Sequence, residues 1–389
     1  MLRVLLGVLI TTAVASAVPA ADEPRAENQT TIQVRSDALL KEFSDASRRG
    51  YEAEHKAKTD EERSKIPRPD GGAYAERLMA MAREHPDDPG AAAALSNAIL
   101  IDPFGRSFPE AVKRLAEKHV KSPRIKEALQ SISFAGTLPE VEPLLRAVLK
   151  DNPDAAARGE AALALVKYLT RMAKETNYLA ANPEAYQRVI ASSGQEAADR
   201  IKNRDSKAML KEAETLLESV VEEHANVPYD EKQSLGERAA TILHEMRELV
   251  VGKPAPEIEG KDVDGKPMKL SEHRGKVVVL SWWATWCSPC MALVPHEREL
   301  VRRMEGKPFV LLGVNGDEDR GRLEHQMKAN GVSWRSWYDG GPDGPISTRW
   351  NVTGWPTVYV LDRDGVIRYK GSLDVRSLDE AVDKLLPES

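Results

Sequence analysis

Apolar residues between positions 36 and 249 recur three and four positions apart, which is the spacing of amphipathic α-helices. Ala, Leu, Glu, Lys and Arg, which favour helices, dominate this region, and it contains no β-rich run. The spacing is clearest in three groups: Leu145, Val148 and Leu149; Ala162, Leu165, Val166 and Leu169; Leu216, Leu217, Val220 and Val221. The pattern predicts an all-helical domain over 36–249.

Prolines interrupt this helical pattern at similar intervals. Pro86, Pro123, Pro153 and Pro183 lie 37, 30 and 30 residues apart, close to the length of one helical hairpin. This spacing predicts a degenerate helical repeat. Because tetratricopeptide consensus residues do not recur at fixed positions, an irregular helical bundle is the alternative.

The pattern changes near residue 250, where Gly252, Pro254 and Pro256 cannot continue the preceding helix. Beyond them, β-branched runs alternate with helical segments. Strands are predicted over 276–283, 309–314, 357–361 and 366–369, and helices after Cys287, over 320–330 and over 377–386. This order predicts an α/β sandwich with a mixed sheet over 250–389, so the whole chain is of the α + α/β class.

The first 20 residues have a basic start, an uncharged apolar run over 4–18 and small residues at its end. They are typical of a secretory signal peptide, which predicts export to a periplasmic or extracellular space. An uncleaved signal that anchors the chain is the alternative. Residues 21–35 are polar and without period, so they are predicted to form a mobile lead. A net charge of -6 without a basic, aromatic-rich run argues against a nucleic-acid partner.

Cys287 and Cys290 are the only cysteines, and they lie between a predicted buried strand and a predicted helix. The N–H groups and dipole of a helix N-terminus lower the pKa of a thiol, so the first cysteine is expected to be nucleophilic. Cys290, one turn further on, would resolve a mixed disulfide. Because a bridge across Ser288 and Pro289 closes almost no loop, it would stabilise the fold little. The pair therefore predicts redox chemistry rather than a structural crosslink.

A zinc site needs about four ligands. Cys287, Cys290 and His296 leave that set incomplete, so neither a metal nor another cofactor is expected.

Several motifs in order along the chain resemble the thioredoxin fold. They are Trp286, Cys287, Ser288, Pro289 and Cys290 after a strand; Pro295; and Gly354, Trp355, Pro356 and Thr357 before a late strand. The start of the domain at 252–256 and the turn at 262–265 resemble the TlpA-like, peroxiredoxin-related (redoxin) branch of this fold. The resemblance covers 250–387.

The resemblance implies that Cys287 attacks, that Cys290 resolves, and that Pro356 is the cis-proline facing the disulfide. Ser288, Pro289 and Trp355 would lie at the site as substrate-facing or structural residues. Trp286 is interpreted either as a wall for the substrate or as a packing residue.

The chain departs from the family at the carboxylate positions. Ser281 stands where thioredoxins keep a buried aspartate, and Leu293 stands where some TlpA-like reductases carry a glutamate. A water or Glu297 could take the proton of Cys290, and the acceptor stays unassigned. His296 is expected to be a surface or capping residue.

The leading functional hypothesis is an exported reductase of protein disulfides, whose helical domain selects or tethers its substrate. The resemblance implies a membrane thiol carrier as the electron donor. One alternative is a helical interaction or scaffold protein with an accessory redox domain. Another is a thiol peroxidase, but Thr285 lies two residues before Cys287 rather than the three of the peroxidase motif.

Overall fold

The computed structural model describes residues 30–57, 59–135, 138–231 and 233–386. The chain divides into two compact units, Met1–Ala239 and Ala240–Ser389. The predicted signal peptide over 1–20 lies outside the described residues. Within them, no helix has the length and apolarity that crossing a bilayer requires.

The described elements of the first unit are helices, which confirms the predicted fold class. They are α1 Thr31–Lys56, α2 Asp60–Ser64, α3 Gly71–Glu84, α4 Ala91–Ile101, α5 Phe108–Lys118, a 3₁₀ turn Pro123–Ile125, α6 Lys126–Ile132, α7 Val141–Asp151, α8 Ala155–Ala181, α9 Pro183–Ser193, α10 Gln195–Lys202 and α11 Ser206–Glu223. Helix α12, Leu235–Glu248, crosses the boundary between the units. The helical repeat stays a prediction.

The first helix begins earlier than the sequence pattern indicated. The Thr30 hydroxyl caps α1 by accepting a hydrogen bond from Gln33 N at 3.2 Å. Residues 31–35 are therefore helical, whereas the prediction placed them in a mobile lead. Ile32 is the one residue of 31–35 that the helix buries, together with Leu39 and Phe43. A single buried residue among polar neighbours shows no helical period, so the sequence pattern did not indicate a helix there.

The boundary between the units also lies earlier than predicted. It falls between Ala239 and Ala240, whereas the prediction placed it after residue 249. Leu249 is fully buried in the core of the second unit, beside Ile258 and Trp282. Leu249 directly follows α12, and the apolar spacing of the sequence could indicate that it is buried but not which core it joins.

The second unit contains a hairpin and a five-stranded mixed sheet. The hairpin is β1 Glu259–Lys261 with β2 Pro267–Lys269, and a 3₁₀ turn, Leu270–His273, follows it. The sheet strands are β3 Val277–Trp283, β4 Phe309–Asn315, β5 Ser336–Tyr338, β6 Thr357–Leu361 and β7 Ile367–Gly371, in the order β5-β4-β3-β6-β7. Strands β3, β4 and β5 are parallel, and β6 is antiparallel to β3 and β7. The helices are α13 Ser288–Arg303, α14 Arg320–Asn330, α15 Pro345–Arg349 and α16 Val375–Leu385.

The mixed α/β sandwich is confirmed, but β5 and α15 were not predicted. They have three and five residues, too few to show a period.

Strand β3 lies at the centre of the sheet and is buried along its whole length. Its side chains alternate between two apolar layers. Val277, Val279 and Trp283 share one layer with both cysteines, and Val278, Leu280 and Trp282 lie in the other. The same alternation places Ser281 on the face of the cysteines.

Candidate active site

The cysteines lie where β3 leads into α13. Cys287 is the N-cap of α13, and its Sγ accepts a hydrogen bond from Cys290 N at 3.2 Å. Ser288 and Pro289 are the first two residues of the helix, where the missing N–H of proline leaves no bond unmade. A disulfide joins Cys287 to Cys290, and both are buried. The structure is therefore that of the oxidised form.

Two tryptophans lie next to this disulfide region. Trp286 is 52% exposed, and its indole N–H donates to Gly316 O at 3.3 Å. Its ring lies 5.6 Å from the ring of Trp355, which packs against the apolar layer of the cysteines. The Trp355–Pro356 peptide bond is cis, and Pro356 O accepts a hydrogen bond from Ser372 Oγ at 2.7 Å. Trp286 and Trp355 thus form an aromatic pair beside the cysteines.

A polar network holds the loop between β3 and α13. Thr285 N and Thr285 Oγ1 both donate to the Asp317 carboxylate, which lies just after β4. Asn315 Nδ2 also donates to Asp317, at 2.8 Å, and the N–H of Asp317 returns a bond to Asn315 Oδ1. Asp317 therefore ties the segment before Cys287 to the neighbouring parallel strand.

The positions considered for proton transfer, including the one where some related reductases carry a glutamate, occupy different environments. Leu293 lies in the apolar layer with the cysteines, and His296 Nε2 lies 3.4 Å from Asp379 Oδ1 on α16. Glu297 is only 1% exposed. Burial raises the pKa of its carboxyl to about 7, against a smaller lowering by the Ser281 hydroxyl. Glu297 is thus a buried acid poised to change charge near neutral pH.

In the described part of the chain, no group of three or more His, Cys, Asp or Glu side chains could hold a metal ion.

Residues 251–370 match the AhpC/TSA family. The thiol-disulfide oxidoreductase ResA of Bacillus thuringiensis subsp. konkukian is 29% identical over 141 residues, which is 36% of this chain and 80% of that relative. The thioredoxin-like protein YneN of Bacillus subtilis is 29% identical over 135 residues, which is 34% of this chain and 78% of that relative. The C-terminal domain is a thioredoxin-like thiol-disulfide oxidoreductase domain.

Solved structures similar to the oxidoreductase domain include a putative thiol:disulfide interchange protein DsbE from Chlorobium tepidum. It is 26% identical, and the match covers 35% of this chain and 98% of that chain with a TM-score of 0.33.

Sequence reasoning missed part of the oxidoreductase site. Asn315 and Asp317 were not named, although they follow a strand predicted to lie in the same sheet as β3. Because the carboxyl ends of neighbouring parallel strands meet at one edge, polar residues at the end of β4 and just after it were a usable signal. Glu297 was named only as one option for the proton acceptor, since helical spacing shows a shared face but not its burial.

Proposed function

We propose that the protein reduces disulfide bonds of exported proteins through the Cys287–Cys290 pair. The observation that carries the proposal is that Cys287 caps α13 with its sulfur, which accepts a backbone N–H from the first turn. The same N–H groups and helix dipole would stabilise a thiolate at this position in the reduced form.

The reaction exchanges one disulfide for another. In the dithiol form, the Cys287 thiolate attacks one sulfur of the substrate disulfide, whose S–S bond breaks and releases one thiolate. Cys290, once deprotonated, attacks Cys287 Sγ in the mixed disulfide and releases the second substrate thiolate. Two electrons have then passed from the dithiol to the substrate, and the protein carries the Cys287–Cys290 bridge. An external dithiol must reduce this bridge, and a membrane thiol carrier is the donor that the family resemblance supports.

The location rests on the sequence. The basic start, apolar run and small residues over 1–20 support export. Expression in a host with a periplasm, followed by mass measurement of the protein from that compartment, tests it. The expected mature chain starts near residue 21, and recovery of the full chain from the cytoplasm alone would contradict export.

The helical domain is proposed to select or tether the protein substrate. Large aromatic side chains on its surface support this role, among them Phe104, Tyr51 and Tyr178. Triple replacement of these aromatics by serine in the full chain should slow reduction of a protein disulfide and leave reduction of a small aromatic disulfide unchanged. An equal rate on both substrates in the variant and the wild type would remove the proposed role.

Thiol peroxidase chemistry is less well supported. Thr285 is the residue considered for a peroxidase site, and its hydroxyl donates a hydrogen bond to the Asp317 carboxylate. It is therefore committed to holding the loop.

The central test measures insulin reduction by the full chain with dithiothreitol as the electron source. The wild type should accelerate precipitation of the insulin chains, and Cys287→Ser should abolish the acceleration. Cys290→Ser should trap a mixed disulfide, and Asp264→Ala, in the exposed turn of the β1–β2 hairpin, is the control that keeps both thiols. Equal rates for the wild type and Cys287→Ser would refute the proposed activity.

The direction of electron flow is tested by the reduction potential of the Cys287–Cys290 pair. A reductase should have a potential near or below the value of about -200 to -270 mV found for glutaredoxins and thioredoxin. A potential near the value of about -120 mV found for a strong oxidant would show that the pair oxidises its substrates instead.

A further inference from the structure

An acidic side chain lies in the apolar layer beneath the cysteines. Glu297 is almost completely buried, and no charged side chain among the described residues contributes to the pKa of its carboxyl. The side chains on either side of Glu297 along α13 are directed elsewhere: His296 lies beside Asp379 of α16, and the Arg298 guanidinium lies beside Gly331. Glu297 is therefore an uncompensated buried acid.

Helix geometry places Glu297 on the face of α13 that carries Cys290. Cys290, Leu293 or Val294, and Glu297 are spaced three to four residues apart and are all buried. Seven residues correspond to two turns, about 10.5 Å of helix rise. Because helical side chains lean toward the N-terminus, the Glu297 carboxyl extends back along the helix toward Cys290.

Ser281 approaches this carboxyl from the sheet. It lies on the cysteine face of β3 between Val279 and Trp283, and its hydroxyl lowers the pKa of Glu297. Nevertheless, Ser281 Oγ and Glu297 Oε1 have no hydrogen-bond partner of good geometry among the described residues. Two unsatisfied polar groups thus face one another within an apolar layer.

This arrangement does not favour the folded state. A buried carboxyl without a full set of partners destabilises the fold, and an aliphatic side chain would fill the position better. The surrounding residues, including Leu293, Val294 and Leu300, show that the layer is otherwise apolar. The acid at this position is thus explained by proton chemistry rather than by packing.

We propose that Glu297, assisted by the Ser281 hydroxyl, is the buried proton acceptor for Cys290. The proposal rests on the proposed dithiol-disulfide activity of the pair. In the mixed disulfide, the proton of the Cys290 thiol passes through the Ser281 hydroxyl to the Glu297 carboxylate, and the Cys290 thiolate attacks Cys287 Sγ. The Cys287–substrate S–S bond breaks, and the departing substrate thiolate takes up a proton from the Glu297 carboxyl or from solvent. The Glu297 carboxyl on α13 thus takes the role of the acid that related proteins carry at the positions of Ser281 or Leu293.

The test separates the two chemical steps. The reduced full chain is mixed with dithiobis(nitrobenzoate), a disulfide that releases one coloured thiolate when Cys287 attacks and a second when Cys290 resolves the mixed disulfide. In Glu297→Gln, the first release should stay within about twofold of the wild type. The second should slow about 10- to 100-fold at neutral pH, a range typical of lost general-base assistance.

The pH profile distinguishes proton transfer from a structural role. The second release in the wild type should rise through pH 7, where the carboxyl loses its proton, and Glu297→Gln should lose this inflection. Glu299→Gln is the matched control, because Glu299 lies two residues away on the exposed side of α13 and pairs with Arg302. It should keep both rates and the inflection. Ser281→Ala should slow the second release and leave the first unchanged.

Each outcome is decisive. An unchanged second release in Glu297→Gln, or equal slowing of both releases, would overturn the assignment to Glu297. If this variant does not fold, absence of the inflection near pH 7 from the wild type, or an unchanged second release in Ser281→Ala, would overturn it equally. Failure of the proposed function is distinct from these results, since the wild type would then show no release dependent on Cys287.

Discussion

The Asp317 carboxylate accepts two hydrogen bonds from Thr285, one from the backbone N–H at 2.9 Å and one from the hydroxyl at 2.6 Å. Thr285 lies two residues before Cys287, and Asp317 lies two residues after β4. The loop that delivers the N-cap cysteine is thereby fixed to a neighbouring strand. A thiol must align with the disulfide that it attacks. We therefore expect the Thr285–Asp317 contact to affect the rate of thiol-disulfide exchange by positioning Cys287.

Replacement of Asp317 by alanine should impair both stability and exchange. The variant removes an acceptor from Thr285 N, and an unsatisfied buried donor costs about 1–3 kcal/mol. We expect that loss in unfolding free energy and a fall of about tenfold or more in insulin reduction, because Cys287 is less well positioned. Asp264→Ala, in the exposed turn of the β1–β2 hairpin, is the matched control. Wild-type activity in Asp317→Ala would show that the loop holds its geometry without this contact.

Trp286 should matter for protein substrates and not for folding. Its side chain is half exposed and meets Trp355, so Trp286→Ala should change the unfolding free energy by less than about 0.5 kcal/mol. Loss of an aromatic contact to a bound peptide should reduce kcat/KM for insulin about tenfold, equivalent to about 1.4 kcal/mol. The rate with dithiobis(nitrobenzoate) should stay within about twofold. Trp286→Tyr, which keeps a ring, should retain most of the activity. Equal losses on both substrates in Trp286→Ala would instead show that Trp286 positions the cysteines.

Glu297 should make the oxidised domain less stable as the pH rises. Its carboxyl has an ordinary pKa near 4.5 in the unfolded chain and about 7 in the folded protein. The folded state therefore binds the proton more tightly, so its stability is full below pH 4.5 and falls as the pH rises through 7. Glu297→Gln should abolish this fall, with a difference that reaches roughly 3 kcal/mol above pH 7.

Tryptophan fluorescence during denaturant unfolding measures this difference in the full chain. All seven tryptophans lie between Trp282 and Trp355, so the signal comes from the oxidoreductase domain. Glu299→Gln should follow the wild type. Parallel stability curves for the wild type and Glu297→Gln between pH 4.5 and 8 would contradict a raised pKa at this site.

Leu249 should stabilise the oxidoreductase domain, although the sequence pattern placed it in the helical domain. It is fully buried beside Ile258 and Trp282, so Leu249→Ala should cost about 2–5 kcal/mol. The loss should appear in the tryptophan-detected transition. Val251→Ala, at a residue that is 60% exposed, should leave this transition unchanged. If only the unfolding transition detected by the helical signal of circular dichroism were destabilised, Leu249 would belong to the core of the first domain instead.

Local patterns determined much of this protein. The β-branched run of β3, the proline in the first turn of α13 and the two cysteines between them predicted the strand-to-helix turn that the structure contains. Helix α14 and strand β6 also have the predicted bounds, 320–330 and 357–361. These features depend on the period of side chains and on turn chemistry within a few residues, which a single sequence displays directly.

Contacts between distant residues were decided only by the tertiary structure. Asp317 and Thr285 are 32 residues apart, Glu297 approaches Ser281 from another element, and Leu249 joins a core that lies after it in the chain. A helical period shows that Glu297 shares a face with Cys290, but whether that face meets water or an apolar sheet depends on what packs against it. Burial sets the pKa of the Glu297 carboxyl, so the protonation of this acid was decided by the tertiary structure. The two thiols, in contrast, were determined by the sequence itself.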